Sequence, residues 1–326
     1  MGLILNLIII IFTSIVIFYF GNIFAKSSSN IGDYLNLPRS IKGATFDAVA
    51  SSLPELLVAL FSVIFFKKFE VGIGTIAGSA LFNLLIIPGI CVLIAPVAFK
   101  VGRKVITRDA IFYIISVFVL LFMVFYFKTW GTIIALVFLL IYVLYLRDII
   151  KHSKEYKREI KKKKKKIDDG HIKITREILV FLGTMAIIGL ATYFLTHSSI
   201  ALSEILNVPA VIIAFSITAA ATSVPDTVIS VSNAKKGSLS DATSNVFGSN
   251  VFDIAVGLGL PLILYNIFVG PVKMLFQNLE VIFGLLGATI VILYFLADKE
   301  KLTKKQGWFL LFMYLVFIAY VILLSI

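Results

Sequence analysis

The sequence predicts an all-α integral membrane protein with ten transmembrane helices, arranged as two inverted five-helix repeats in which some helices are broken. Three observations predict this fold class. The 326 residues are 60% apolar, with a mean hydropathy of +1.02, which is more apolar surface than a soluble protein can bury. Ten apolar runs are long enough to cross about 30 Å of hydrocarbon. A short polar motif also occurs twice, once in each half.

The apolar runs are continuous rather than alternating, which favours helices over a β-barrel. No small-residue cleavage site follows the first run, so we interpret it as a retained helix rather than a signal peptide. The single cysteine, Cys91, excludes an intrachain disulfide. The runs span roughly residues 3–25, 40–66, 70–98, 105–127, 130–147, 177–196, 208–232, 241–266, 272–296 and 306–326.

The basic residues predict the orientation in the membrane. With ten helices, 26 of the 30 Lys and Arg residues fall on the side that holds the loop 148–176. The positive-inside rule makes that side cytoplasmic and places both termini outside, in a cell membrane. The net charge of +12 therefore needs no nucleic acid to explain it. The four basic residues expected outside are Lys67, Lys68, Lys128 and Lys273.

The chain divides into a first repeat (1–147), a Lys-rich cytoplasmic linker (148–176) and a second repeat (177–326). Six consecutive lysines, Lys161–Lys166, repel each other and favour an extended or disordered segment. The segment is either a solvated linker that fixes orientation or a tether to anionic lipid. We expect a monomer.

The two halves repeat each other at nearly constant spacing. Pro54-Glu55 matches Pro225-Asp226 at an offset of 171 residues, within a shared Ser-x-Pro-acid motif. Because each half has an odd number of helices, the repeats must have opposite orientations, which is typical of transporters whose site lies near the midplane. Two further matches have an offset of 170: Gly78-Ser79 with Gly248-Ser249, and Phe82-Asn83 with Phe252-Asp253.

Prolines and glycines predict where the helices are interrupted. Pro54 and Pro225 each remove an amide donor and crowd the preceding turn, so a kink or break is expected there. The carbonyls that a break frees need a partner within the membrane, and a bound cation can be that partner. Glycines in the third and eighth helices predict further interruptions, with close helix packing as the alternative. These glycines are Gly72, Gly74, Gly78, Gly248, Gly257 and Gly259.

Four carboxylates lie well inside apolar runs: Asp47, Glu55, Asp226 and Asp253. Lys42, at the start of the second run, is the only Lys or Arg in the three runs that hold them. Several buried like charges are untenable unless they hold protons or cations. The surrounding donors are all oxygens, which suits Ca²⁺ or Na⁺ and disfavours zinc and copper. The neutral oxygen donors are Thr45, Ser51, Ser52, Ser79, Asn83, Ser216, Thr218, Thr222, Ser223, Ser244, Asn245, Ser249 and Asn250.

These motifs resemble the two α-repeats of the cation/calcium exchanger superfamily, here residues 43–91 and 214–265. Within it they are most similar to the sodium/calcium exchangers, the potassium-dependent branch especially. The matching stretches are Gly43-Ala44-Thr45-Phe46, Pro54-Glu55, Val71-Gly72-Ile73-Gly74-Thr75-Ile76, Gly78-Ser79-Ala80-Leu81-Phe82-Asn83, Thr222-Ser223-Val224-Pro225-Asp226 and Gly248-Ser249-Asn250-Val251-Phe252-Asp253-Ile254.

The resemblance implies a secondary active antiporter and not an enzyme, without a cofactor, exchanging Na⁺ for Ca²⁺ by alternating access. K⁺ is a further candidate ion. An acid at the position of Asp253 occurs in both potassium-dependent and potassium-independent members of the family, so it does not decide whether K⁺ is transported. Glu55 and Asp226 would be the central carboxylates shared between Ca²⁺ and Na⁺, with Asn83 and Asp253 as the matching residues on the third and eighth helices. The further ligands implied are the hydroxyls of Ser52, Ser79, Thr222, Ser223 and Ser249, and carbonyls near Ala48 and Ala219.

The chain departs from the family pattern at Asp47, where an apolar residue is expected. Asp47 lies four residues before Ser51 and eight before Glu55, so it falls on roughly the same side of one helix. It is a hydrogen-bonded packing residue, an additional ion or proton site, or a group facing an aqueous vestibule. Ala50 and Ala221 stand where many relatives carry a glycine, which could stiffen the breaks.

Two other functions compete with this interpretation. Proton/calcium antiport, or antiport of another divalent cation such as Mg²⁺, could use the same fold, although exchangers of that branch usually carry Gly-Asn-x-x-Glu where this chain has Ser-x-Pro-acid. An intramembrane aspartyl protease also needs two membrane carboxylates. Such enzymes typically show Gly-x-Gly-Asp, and no acid follows Gly257-Leu258-Gly259 here.

Overall fold

The part of the chain that the structure describes is almost entirely helical. The computed structural model describes residues 2–35, 46, 48–96, 99–100, 105–160, 174–237, 239–274, 279–297 and 301–323. In the first half the helices are α1 (Leu3–Tyr34), α2 (Ala48–Ser51), α3 (Leu53–Ile64), α4 (Phe69–Ile94), α5 (Ala110–Tyr126) and α6 (Thr132–Ile160), with a π-helical turn at Val105–Asp109.

The second half has the same kinds of element. Its helices are α7 (Ile174–Leu206), α8 (Ala210–Ile213), α9 (Ala219–Thr222), α10 (Val224–Lys235), α11 (Leu239–Phe252), α12 (Leu258–Phe268), α13 (Leu279–Ala297) and α14 (Lys304–Leu323), with π-helical turns at Ala214–Thr218 and Asp253–Gly257.

Seven helices among the described residues are long and apolar enough to cross a membrane. Two further helices, Ala210–Thr222 and Val224–Lys235, meet at a short break with a bend of 43°. If this pair counts as one span, the described residues contain up to eight spans. Two shorter apolar helices, Leu53–Ile64 and Phe283–Leu296, accompany them. The chain is therefore a multi-pass, all-α membrane protein, as predicted, whereas the count of ten spans stays a prediction.

Several helices are longer than their apolar runs. Helix α1 continues to Tyr34, and helix α6 continues to Ile160, so the start of the expected linker is helical. Lys, Glu and Arg are good helix formers, so a polar sequence can continue a helix beyond its apolar part. Lys161–Lys166 lies outside the described residues.

Helix α4 is the central element. Of its most apolar 18-residue window, 78% is buried, against 22% for α1. It runs unbroken from Phe69 to Ile94, so the predicted interruption at its glycines is wrong. The alternative of close packing applies instead: a Cβ at Gly74 would lie 2.5 Å from the Val211 carbonyl oxygen, and one at Gly78 would overlap the Phe215 carbonyl oxygen.

The two predicted breaks at the prolines are present. Ser52 separates α2 from α3 with φ −92° and ψ 6°, and Ser223 separates α9 from α10 with φ −76° and ψ 2°. In both places the proline occupies the first turn of the new helix, where a missing amide proton costs least. Between α11 and α12 the π-helical turn Asp253–Gly257 distorts the helix without ending it, and Asp241–Phe268 forms one span. The break predicted at Gly248, Gly257 and Gly259 is therefore absent.

Two short antiparallel pairings join the halves. Strand β1 (Phe99–Lys100) pairs with β4 (Lys301–Leu302), and β2 (Thr129–Trp130) pairs with β3 (Val272–Lys273). Both members of the first pair come from loops predicted to be cytoplasmic, and both members of the second from loops predicted to be external. The pairings thus agree with the expected alternation of the loops.

Candidate cation site

Two carboxylates stand at equivalent positions beside the two helix breaks. Glu55 lies in the first turn of α3 and Asp226 in the first turn of α10, and both are fully buried. The first turn of a helix exposes unpaired amide groups and the positive end of its dipole, which favour a negative charge. The breaks therefore place both carboxylates where buried charge is least costly.

Asp226 is well supplied with hydrogen-bond donors. Its Oδ2 atom accepts a hydrogen bond from Asn83 Nδ2 at 2.9 Å. Its Oδ1 atom accepts from Ser249 Oγ at 2.8 Å and from Asn245 Nδ2 at 3.4 Å. Asn83 lies in the first half of the chain and the other two in α11, so donors from both halves converge on this carboxylate.

Glu55 and Asp253 share one hydroxyl. Ser79 Oγ lies 3.3 Å from both Glu55 Oε1 and Asp253 Oδ2. Ser223 Oγ donates to Ser79 Oγ at 2.9 Å and lies 3.4 Å from Glu55 Oε1. Because a hydroxyl has one proton, Ser79 cannot donate to both carboxylates at once. The two acids are therefore held by fewer and longer hydrogen bonds than Asp226.

Four buried oxygens at this site have no hydrogen-bond partner. Three of them are acceptors only: Glu55 Oε2, Asp253 Oδ1 and Asn83 Oδ1; the fourth is the hydroxyl of Ser52. None of the carboxylates forms an ion pair with a described lysine or arginine. A buried acceptor without a partner carries a substantial desolvation cost. A bound cation would satisfy these oxygens.

The comparisons with known proteins agree with this geometry. The profile of the sodium/calcium exchanger protein family matches residues 5–149 and 177–323. The chain belongs to the sodium/calcium exchanger family. The resemblance seen in the two α-repeats is therefore confirmed. Members of this family are exchangers rather than enzymes, so the protease alternative falls away.

Several members of the exchanger family are similar in sequence. The rat sodium/potassium/calcium exchanger 3 is 36% identical over 126 residues, 38% of this chain and 20% of that protein. A membrane protein of Methanocaldococcus jannaschii, described as uncharacterized, is 26% identical over 94% of both chains. The chain thus matches only about a fifth of the length of the mammalian relatives.

Solved structures share the fold. The sodium-calcium exchanger NCX_Mj, in a crystal soaked with Na⁺ and Sr²⁺, aligns with a TM-score of 0.67 at 19% identity, covering 98% of this chain and 99% of that one. The structure of native YfkE aligns with a TM-score of 0.74 at 15% identity, covering 98% and 92%. At these identities the alignments establish the fold alone.

The other residues that the family resemblance suggested as ligands also lie beside the carboxylates. Thr222 faces Glu55, and Ser52 faces Asp253. The Ala48 carbonyl accepts from Ser52 N and Ser51 Oγ, and the Ala219 carbonyl accepts from Ser223 N and Thr222 Oγ1. Neither carbonyl is free in this conformation, so a cation would have to displace a hydroxyl to bind there. Asp47 lies outside the described residues.

Three residues that the sequence suggested only as general oxygen donors contact the site. Asn245 donates to Asp226, Ser51 Oγ lies 3.1 Å from Ser249 Oγ, and Asn250 Oδ1 accepts from Asn83 Nδ2 at 3.0 Å. A helical pattern could have identified Asn245. It stands four residues before Ser249 and eight before Asp253, so the three share one helix face.

The candidate ligands combine a few carboxylates with many neutral oxygens. Within the described ranges, no three acidic, histidine or cysteine side chains lie close enough together to hold one metal ion. A cation would therefore be held in this conformation by one or two carboxylates together with neutral oxygens. Mixed shells of this kind suit hard cations such as Ca²⁺, which accepts carboxylate, amide and carbonyl oxygens.

Proposed function

We propose that the protein exchanges Na⁺ for Ca²⁺ across a cell membrane. The observation that carries the proposal is the set of unpartnered, fully buried oxygens on Glu55, Asp253 and Asn83. They lie beside Asp226, whose carboxylate accepts three hydrogen bonds. Family membership and the all-oxygen composition support it. Ca²⁺ and Na⁺ would compete for overlapping positions among these groups.

The proposed architecture is ten spans in two inverted repeats. Matched hydrogen bonds at the two helix breaks support the repeat. Ser52 N donates to the Ala48 carbonyl at 3.0 Å, as Ser223 N does to the Ala219 carbonyl. One residue earlier, Ser51 and Thr222 donate their hydroxyls to the same carbonyls, both at 3.2 Å.

Coupling follows from the electrostatic cost of an empty site. Burying uncompensated carboxylates in a low-dielectric barrier is unfavourable, whereas a cation brings the site close to neutral. The protein would change conformation readily only when loaded, so the two ion fluxes are coupled without ATP. Helices α1 and α7 pack extensively on each other. Their most apolar 18-residue stretches are only 22% and 28% buried, and we propose that this pair moves against the rest.

Proton/calcium antiport is the second candidate function. The unpartnered Glu55 Oε2 and Asp253 Oδ1 atoms could be satisfied by protons as well as by Na⁺. In that case the Ca²⁺ site would be the same, and only the counter-ion would differ.

Radiolabelled Ca²⁺ uptake into proteoliposomes distinguishes the two candidates. Vesicles loaded with Na⁺ are diluted into Na⁺-free medium, beside vesicles loaded with K⁺ and vesicles given a pH jump. We expect uptake only with the outward Na⁺ gradient, and external K⁺ then tests for co-transport. Uptake that follows the pH gradient and ignores Na⁺ would establish the second candidate and reject the first.

A further inference from the structure

A fourth buried carboxylate lies outside the cation site. Asp109 is fully buried, at the end of the π-helical turn that precedes α5. Arg108 forms a bidentate ion pair with Asp109, in which Nε donates to Oδ1 at 2.6 Å and Nη2 donates to Oδ2 at 3.0 Å. Unlike the acids of the cation site, Asp109 is therefore charge-compensated.

Asp109 also accepts hydrogen bonds from two other helices. Tyr145 of α6 donates its hydroxyl to Oδ1 at 3.2 Å, and Ser244 of α11 donates to Oδ2 at 2.6 Å. Each of the two oxygens thus binds the guanidinium and one hydroxyl. Because a carboxylate paired in this way has little capacity left for an ion, we interpret Asp109 as a clamp between α5, α6 and α11.

The clamp has two arms, the hydrogen bonds from Ser244 of α11 and from Tyr145 of α6, and the Ser244 arm lies next to the cation site. Ser244 is followed by Asn245, whose amide donates to Asp226 Oδ1 at 3.4 Å and to Ser230 Oγ at 3.2 Å. One turn further, Ser249 donates to the same Asp226 oxygen at 2.8 Å. Since an α-helix moves as a stiff rod over one or two turns, fixing Ser244 also fixes the rotation and height of these two donors.

We propose that Asp109 is a positioning residue for cation binding, which acts through Ser244 to hold the donors of α11 against Asp226. This inference rests on the proposed function, because it assumes that the site around Asp226 binds Ca²⁺. The Tyr145 arm ends on α6, from which no described residue donates to the three site carboxylates. The Tyr145 hydroxyl also lies beside Gly248 of α11, so the two arms differ in their hydrogen bonding to the site rather than in their distance from it.

The test compares Ser244→Ala with Tyr145→Phe, since each removes one hydroxyl from Asp109. Asp109→Asn is less suitable, because it also removes the buried ion pair with Arg108. Equilibrium binding of radiolabelled Ca²⁺ to the purified full-length protein is measured together with its thermal unfolding. We expect the dissociation constant to rise about three- to tenfold in Ser244→Ala and less than about twofold in Tyr145→Phe. Ser244→Thr, which keeps the hydroxyl, should restore binding.

Three results would overturn the inference. Equal affinity losses in Ser244→Ala and Tyr145→Phe, accompanied by equal losses of thermal stability, would make the clamp a general structural element. Wild-type affinity in Ser244→Ala would show that α11 needs no anchor. A wild-type protein that binds no Ca²⁺ would reject the proposed function and this inference with it, and that outcome is recognised before any variant is compared.

Discussion

Glu55 and Asp226 differ in how their oxygens are satisfied, and this difference predicts different effects of removing their charge. Glu55 Oε2 has no partner, so an amide in Glu55→Gln displaces no donor. Both oxygens of Asp226 accept hydrogen bonds, so the amide of Asp226→Asn must face a donor. We expect both variants to lose Na⁺-driven Ca²⁺ uptake by about tenfold or more, but only Asp226→Asn to unfold at a lower temperature.

Thermal unfolding with and without Ca²⁺ checks this prediction. Ca²⁺ should raise the unfolding temperature of the wild type and of Glu70→Gln, a control that removes an exposed carboxylate from α4. It should not raise that of Glu55→Gln. Retained uptake in Glu55→Gln would remove Glu55 from the set of transport ligands.

Residue chemistry made part of the site predictable. An acid inside an apolar run is conspicuous, so Glu55, Asp226 and Asp253 could be singled out directly. Asn245 was less visible, because a neutral amide in a helix has many ordinary uses. The role of Asp109 depends on contacts with Tyr145 and Ser244, which lie 36 and 135 residues away. Local sequence signals contain no information about such contacts.

At the scale of elements, Gly78 and Gly248, which match each other in the repeated sequence motif, differ in the space around them. A Cβ at Gly78 would overlap the backbone of Phe215, whereas one at Gly248 would meet Tyr145 Oη at an ordinary 3.4 Å. We expect Gly78→Ala to force α4 away from the π-helical turn at Ala214–Thr218. This strain should lower the unfolding temperature by about 4–10 °C.

Gly248→Ala is the matched control. Alanine is the better helix former by about 0.8–1.0 kcal/mol, so this variant should be as stable as the wild type or more so. Thermal unfolding of both purified variants in the same detergent is the measurement. Equal stability of the two variants would contradict the close packing of α4 against that turn.

Neither proline nor glycine alone decides where a helix breaks. Pro54 and Pro225 stand at the two breaks, whereas Pro88 and Pro261 lie inside the continuous helices α4 and α12. Glycine merely permits a break, and the tertiary contacts decide whether it occurs. In α4 the neighbouring backbone approaches Gly74 and Gly78 closely, so these glycines allow packing while the helix stays continuous.

At the scale of the whole molecule, the loop pairings and the charge distribution predict one topology. Lys128 adjoins the β2–β3 pairing and should face outside, and Lys304 follows β4 and should face the cytoplasm. The single cysteine, Cys91, is buried, so the wild-type protein should react little with a maleimide. A membrane-impermeant maleimide added to intact cells should label Lys128→Cys but not Lys304→Cys.

Permeabilised cells provide the control, because both introduced cysteines should then react. The reverse pattern in intact cells would invert the topology and place the Lys-rich linker outside. Labelling of both positions in intact cells would contradict the predicted number of spans between them.

The dependence of the site on both halves has a consequence for biosynthesis. Glu55 and Asp226 are 171 residues apart, so at typical translation rates Glu55 is made about 10–30 s before its partner. During that time the nascent first half holds a carboxylate at membrane depth without the Ser223 hydroxyl beside it. A lone charge there is costly, so Glu55 needs a proton, a cation or water while the ribosome completes the second half. The nascent chain therefore enters the membrane before its candidate cation site can exist.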